Sequence, residues 1–254
     1  MPLTEEVLRD LPAEVRQTLR SYVAEVARLF GPALEGILLY GSAACGDYLP
    51  GRSNLNLMVI LTAYDAVKLG QYAKFHRRWQ KEGIVVPLFL TEREVRTGAE
   101  CFPLEYLDIQ HAHVLLKGRD PFPELSINLR NLRVQCEQEI RGNLLRLRQR
   151  FVEGAGKPET AAILMPLSLT ALLPPLKGLL RLLGLRVPTR ADAVFADLKA
   201  GLEVDPTAFQ EVLSLKRGLI TPGPLELPRL FERYLSALQS LVERLEHLEP
   251  ATQP

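Results

Sequence analysis

The chain reads as α/β in the α+β sense: a small mixed sheet with flanking helices, followed by an all-helical bundle. Two apolar segments of strand character, Leu34–Tyr40 and Leu55–Leu61, are joined by a loop of small and polar residues. A third such segment, Ile84–Leu90, follows a helical stretch. Beyond Pro123 only helical periodicity remains, so the expected domains are 1–123, carrying the sheet, and 124–254, carrying the helices.

Taken in order, Val7, Leu8, Leu11, Val15, Leu19, Tyr22, Val23, Val26 and Leu29 recur at steps of three and four, which predicts an opening helix ended by Gly31-Pro32. After the two strands a helix is expected over about Ala63 to Lys81, ending before Gly83. The third strand precedes Thr91-Glu92-Arg93-Glu94, which has the form of a capping box opening a helix that Gly98 keeps short. His113–Leu116 suits a fourth strand. A long helix is expected from Leu125 to Val152, and Gly154–Pro158 is a linker. Further helices fall at about Glu159–Leu183, Ala191–Ala200, Pro206–Lys216 and Leu227–Leu248. The last has an apolar stripe through Leu227, Leu230 or Phe231, Tyr234, Leu238, Leu241, Leu245 and Leu248. Such a stripe closes an intramolecular bundle or, built the same way, a dimer seam.

Composition narrows the class. Of 254 residues, 47% are hydrophobic and 24% charged, as in an ordinary globular protein with ample core. A net charge of +1 gives no global reason to expect nucleic acid or an acidic membrane as partner. Cys45, Cys101 and Cys136 are odd in number and lack a CxxC pair, so free thiols in a reducing, cytoplasmic setting are expected. Pro2 to Arg16 carries no signal-peptide core, and the apolar run Ala161–Leu176 is interrupted by Pro166, Pro174 and Pro175. A buried helix or helix pair, not a membrane span, is the expectation there.

The most informative stretch is residues 37–61. It runs from an apolar strand through Gly41-Ser42, a loop containing Gly46, and Ser53-Asn54-Leu55-Asn56 into a second apolar strand. Asn54 and Asn56 stand at alternate positions and so face one way. The pattern resembles the polymerase-beta-type nucleotidyltransferase superfamily, in which Gly-Ser is followed by Ser-Asp-x-Asp. A sheet domain followed by a helical domain is similar in layout to the kanamycin nucleotidyltransferase type.

The resemblance implies that Gly41, Ser42 and Ser53 lie at a nucleotide-binding site, with Asn54 and Asn56 at the positions of two catalytic carboxylates. In that family two divalent ions clamp the attacking and leaving oxygens of an in-line transfer, and a third carboxylate on a neighbouring strand completes the site. Here both positions are amides, and Ile84–Leu90 holds no acid; Glu82 and Glu92 lie only at its ends. Asp47, in the loop, and Asp65, before the next helix, are the candidates to replace a lost carboxylate, though a turn role and a helix-start role fit them better. No metal ligand and no catalytic residue is assigned, and no cofactor is expected; Mg²⁺ enters only under an active reading.

Other clusters are less pointed. His111 and His113 share a face if Gln110–Leu116 is a strand, with Asp108 and Cys101 not far in sequence. His76, Arg77, Arg78 and Lys81 make a basic turn near a helix end. Arg130, Arg133, Arg141, Arg146, Arg148 and Arg150 alternate with Glu137 and Glu139, which suits an ion-paired face and only weakly a nucleic-acid surface. Trp79 reads as a core anchor, and Ser42 lacks the Gly-x-Ser-x-Gly setting of a hydrolase nucleophile.

The expectation is a pseudoenzyme that keeps the fold and acts by nucleotide or partner binding. Two alternatives stay open. One is an active transferase moving a nucleoside monophosphate to a small-molecule, protein or RNA hydroxyl. The other is an oligomerisation or scaffold role for the helical domain, through another protein or a second copy of the chain.

Overall fold

In the computed structural model, residues 8, 10–46, 48–51, 53–188 and 190–246 are described. The chain divides into two compact units, Met1–Ile127 and Asn128–Pro254.

The first unit is built on four strands: β1 (Leu34–Tyr40), β2 (Asn56–Leu61), β3 (Leu88–Thr91) and β4 (His113–Gly118), in the order β3-β2-β1-β4. β1 pairs antiparallel with both β2 and β4, and β2 pairs parallel with β3, so the sheet is mixed. Its helices are α1 (Ala13–Phe30), the one-turn α2 (Ser42–Cys45), α3 (Ala66–Lys81), α4 (Glu92–Cys101) and α5 (Pro103–His111). The two central strands, β1 and β2, are buried on both faces. Ile37, Leu39, Leu57 and Val59 join a core with Leu19, Tyr22, Val26, Tyr72 and Trp79 of α1 and α3. Leu38, Met58 and Ile60 join the other face with Val95, Tyr106, Ile109 and Phe122.

Trp79 is the expected anchor. It stacks edge-on to Tyr22 and donates its indole N–H to Glu25 at 2.8 Å. His76 does not belong with the basic turn. It is buried with its Nδ1 3.0 Å from the Tyr72 hydroxyl, which shares a 3.0 Å hydrogen bond with Tyr22. Burial pulls its pKa below the ordinary imidazole value.

Three local expectations change. The third strand is shorter than Ile84–Leu90. Ile84 makes only an isolated bridge to Leu55, and the ladder resumes at Leu88, after Pro87. Proline has no N–H to give and restricts the residue before it, which breaks the pairing. Gly98 does not end α4, which runs through it to Cys101; a Cβ at Gly98 would strike the ring and hydroxyl of Tyr106. The strand near His113 starts two residues after His111, which ends α5, so the two histidines share no strand face.

Among the described residues, the regular structure of the second unit is all helix: α6 (Leu129–Glu153), α7 (Pro158–Leu182), α8 (Ala191–Leu202), α9 (Thr207–Lys216) and α10 (Glu226–Glu246). α6 begins at Leu129, not Leu125, because Asn128 caps it by accepting from the N–H groups of Arg130 and Asn131. α7 runs unbroken through Pro166, Pro174 and Pro175. By length and composition it could cross a membrane, with 56% of its most apolar stretch buried inside the protein. The α10 stripe Leu227, Leu230, Phe231, Tyr234, Leu238, Leu241 and Leu245 is buried, and α10 packs on α6, α7 and α9. Leu248 and Val7 lie outside the described residues.

Candidate functional site

The end of β1 delivers the chain into a turn that only glycine makes easily. Gly41 has φ 77° and ψ −153°, a region costly for any residue with a Cβ. Its carbonyl accepts from the N–H groups of Ala44 and Cys45 at 2.9 and 3.1 Å, and Gly46, at φ 80°, closes the turn. Ala43 and Ala44 are buried beneath it, while Ser42 is half-buried. Among the described residues the Ser42 hydroxyl has no hydrogen-bond partner.

The loop returns through Ser53, whose N–H donates to Leu49 O at 2.8 Å and whose Oγ accepts from Leu49 N–H at 2.9 Å. Ser53 is thus a loop staple as well as a sequence-expected nucleotide contact. Leu55 then bonds to the third-strand segment, donating to Gly83 O at 2.8 Å and accepting from Val85 N–H at 3.3 Å. Leu55, Leu57, Val59 and Leu61 fill the core shared with α1 and α3, so Asn56 takes the opposite face, with Met58 and Ile60.

The structure brings Asn56 onto the turn. A Cβ on Gly41 would sit 2.8 Å from Asn56 Nδ2, so the amide occupies the space that glycine leaves. Asn54 is exposed one residue before the Leu55 bridge. Neither amide has a hydrogen-bond partner among the described residues. Tyr40, opposite Asn56 in register, and His113, opposite Tyr40 on β4, continue this row across the sheet. Sequence reading passed over Tyr40, although its place directly before Gly41 marks it. Burial raises its phenol pKa.

Neighbouring acids are otherwise engaged. Asp65 caps α3, accepting from Val67 and Lys68 N–H at 2.9 and 3.2 Å. Glu92 pairs with Arg96 at 3.1 Å and Arg119 at 3.7 Å, beyond the Thr91 end of β3 that lies beside Leu61, the far end of β2 from Asn56. Glu82 is the exposed C-cap of α3, next to Gly83, at the Leu55 end of the sheet. Asp47 lies outside the described residues. Among the described residues no group of three His, Cys, Asp or Glu side chains could hold a metal ion. Two neutral amide oxygens beside an acid-free strand do not fit a two-magnesium site, which relies on carboxylate charge.

His113 is held at both nitrogens, Nδ1 at 2.8 Å from Ile109 O and Nε2 at 2.9 Å from Asp120. These two contacts fasten α5, β4 and the following loop together. On α6, Arg141 pairs with Glu137 and Glu246 at 2.8 and 2.9 Å, Arg146 with Glu139 at 3.6 Å, and Arg133 donates to Leu245 O at 3.1 Å. The ion-paired reading of that face accounts for Arg141 and Arg146, while Arg133 is held by a backbone carbonyl.

No family model matches the chain, and no curated protein matches it in sequence. Among solved structures it is similar to the spectinomycin adenyltransferase AAD(9) from Enterococcus faecialis, crystallised with ATP and spectinomycin. The identity is 10% and the TM-score 0.50, covering 88% of this chain and 99% of that one. The likeness is one of fold: a mixed-sheet α/β unit followed by a helical unit.

Proposed function

We propose that this protein binds a nucleotide at the Gly41–Ser42 turn without divalent metal, and serves as a binding or regulatory protein instead of a transferase. The observation behind it is the amide of Asn56 packed against Gly41, with no carboxylate between Ile84 and Thr91 on the neighbouring segment. Replacing two carboxylates by amides removes the charge that magnesium needs. It also removes the repulsion that bare carboxylates exert on a triphosphate. The free Nδ2–H groups of Asn54 and Asn56, with the Ser42 hydroxyl, are donors suited to phosphate oxygens, and hydrogen bonds to charged groups contribute about 1.5–3 kcal/mol each. Neither amide can take a proton from a nucleophile near neutral pH.

Calorimetric titration with ATP and GTP, with and without Mg²⁺, tests this reading. The expected result is an affinity that Mg²⁺ changes by less than about threefold, under 1 kcal/mol. Tight binding that requires Mg²⁺ would refute it. Asn54→Asp with Asn56→Asp is expected to weaken metal-free binding and to restore no transfer.

A second reading, an active transferase acting on a small hydroxyl compound, draws on the fold likeness to an adenyltransferase holding ATP and spectinomycin. A radiolabelled-NTP assay with Mg²⁺ or Mn²⁺ decides it. Label transfer abolished by Ser42→Ala would displace the first reading, and loss with Glu82→Gln would identify the completing acid.

A further inference from the structure

On the first unit, away from Gly41 and Asn56, a trough of about 390 Å³ runs between α1 and the outer edge of β4. β4 is last in the strand order, and among the described residues no other strand pairs with its outer side. Leu115, Leu116 and Lys117 all line the trough. A bulge leaves Leu116 unpaired between the Ile37–Lys117 and Leu38–Leu115 pairs; Leu116 packs on the core under α1 and Leu115 on the core of the other face, so a groove touching both lies at the strand's edge. The opposite wall is one face of α1, formed by Arg16, Leu19, Arg20, Val23, Ala24 and Ala27 at helical spacing. From Arg16 to Ala27 that face runs about 16 Å, the length of about five residues of extended chain. Ala24 and Ala27, with their short side chains, leave the space open.

We propose that this trough docks an extended acidic segment of a partner protein, which adds to the sheet as a fifth strand beside β4. An unpaired edge offers a row of backbone donors and acceptors for strand addition. The charge of the lining selects the occupant. Arg16, Arg20 and Lys117 border the apolar walls, and among the described residues no acid lines them and none of the three forms an ion pair. A second copy of the chain, paired edge to edge about a two-fold axis, would set these cations against their own counterparts. Nucleic acid is disfavoured because the walls are aliphatic and offer no ring for bases to stack on. The segment therefore carries apolar side chains toward the trough and carboxylates toward Arg16, Arg20 and Lys117. The inference is independent of nucleotide binding.

Fluorescence anisotropy on the full chain tests it, with a labelled peptide of about eight residues alternating valine and glutamate, long enough to span the trough. Its lysine counterpart and a version N-methylated at alternate amides serve as the other probes. The acidic peptide is expected to bind saturably, and both counterparts at least about tenfold more weakly. Ala24→Trp, at an exposed position, is expected to fill the trough and weaken binding about tenfold while leaving far-UV circular dichroism and nucleotide titration unchanged. Arg16→Glu with Arg20→Glu is expected to reverse the preference between the acidic and basic peptides. No saturable binding, equal binding of the acidic and basic peptides, indifference to Ala24→Trp, or a free-protein dimer that the peptide does not disperse would each overturn the proposal.

Discussion

At the scale of single residues, the candidate site depends on Gly41 more than on any polar group. Its backbone at φ 77°, ψ −153° and the approach of Asn56 Nδ2 both require the absence of a Cβ. Gly41→Ala is therefore expected to cost about 1–3 kcal/mol of stability through backbone strain, with displacement of Asn56 added. Urea denaturation reads the first effect. The second appears as weakened nucleotide binding in the folded variant. The Gly-Ser pair was visible in the sequence as a motif. That the Asn56 amide fills the space beside it was not, because register between β1 and β2 decides it, placing Tyr40 opposite Asn56. Ser53, which the resemblance marks as a nucleotide contact, also has a local role that only the folded loop shows, its Oγ accepting from Leu49 N–H.

At the scale of elements, the strongest local signal was the capping box at Thr91 and Glu94, and both of its hydrogen bonds form. Glu94 does more than the motif requires, since its Oε2 also accepts from the Tyr64 hydroxyl. Hydrogen bonds from Tyr64, from the Thr91 N–H and from the Thr91 hydroxyl, in that order, hold its carboxyl below the ordinary 4.5. The Tyr64 phenol is pushed up to about 12, by desolvation first and by the bond to Glu94 second. A carboxyl depressed in the folded state stabilises the fold above its unfolded value, and that contribution is lost as pH falls through the folded value. The stability difference between the native chain and Glu94→Gln is thus expected to be full at pH 7 and to close as the pH drops from 4.5 through the lowered folded value. Thr91→Ala, which removes the cap itself, is expected to cost about 1 kcal/mol at neutral pH. Denaturation at a series of pH values measures both. Prolines mislead at this scale: Pro87 does interrupt a strand, whereas Pro166, Pro174 and Pro175 leave α7 continuous. The carbonyls they leave without a donor, on Ala162, Thr170 and Ala171, belong to half-buried or exposed residues that water reaches.

At the scale of the whole molecule, each unit encloses its own core. In the second, Asn143 and Ser168 are buried polar residues that satisfy one another: Asn143 Nδ2 donates to Ser168 O at 3.0 Å, and Ser168 Oγ lies 3.0 Å from the Tyr234 hydroxyl. This ties α6, α7 and α10 together at one level of the bundle, where an unsatisfied group costs about 1–3 kcal/mol. Residues 128–254 expressed alone are expected to fold, giving a helical circular dichroism spectrum and a single cooperative thermal transition. A featureless melt would show that the helical unit depends on the first. Asn143→Ala in that fragment is expected to lower stability by about 1–3 kcal/mol, since the Ser168 carbonyl loses its donor.

The amino-acid sequence by itself determined the fold class, the order of nearly every element and the place of the Gly-Ser turn, because these rest on local periodicity, turn chemistry and capping. It also determined that Asn54, Asn56 and the Ile84–Leu90 segment carry no acid. The tertiary structure alone decided what depends on residues distant in the chain. It set Asn56 against Gly41 through strand register, turned His76 inward onto Tyr72, and engaged His113 with Asp120 instead of pairing it with His111. It also buried the α10 stripe inside the bundle and, among the described residues, left the outer edge of β4 without a paired strand beside α1. A sequence pattern states which face of an element is apolar, and only packing states what that face meets.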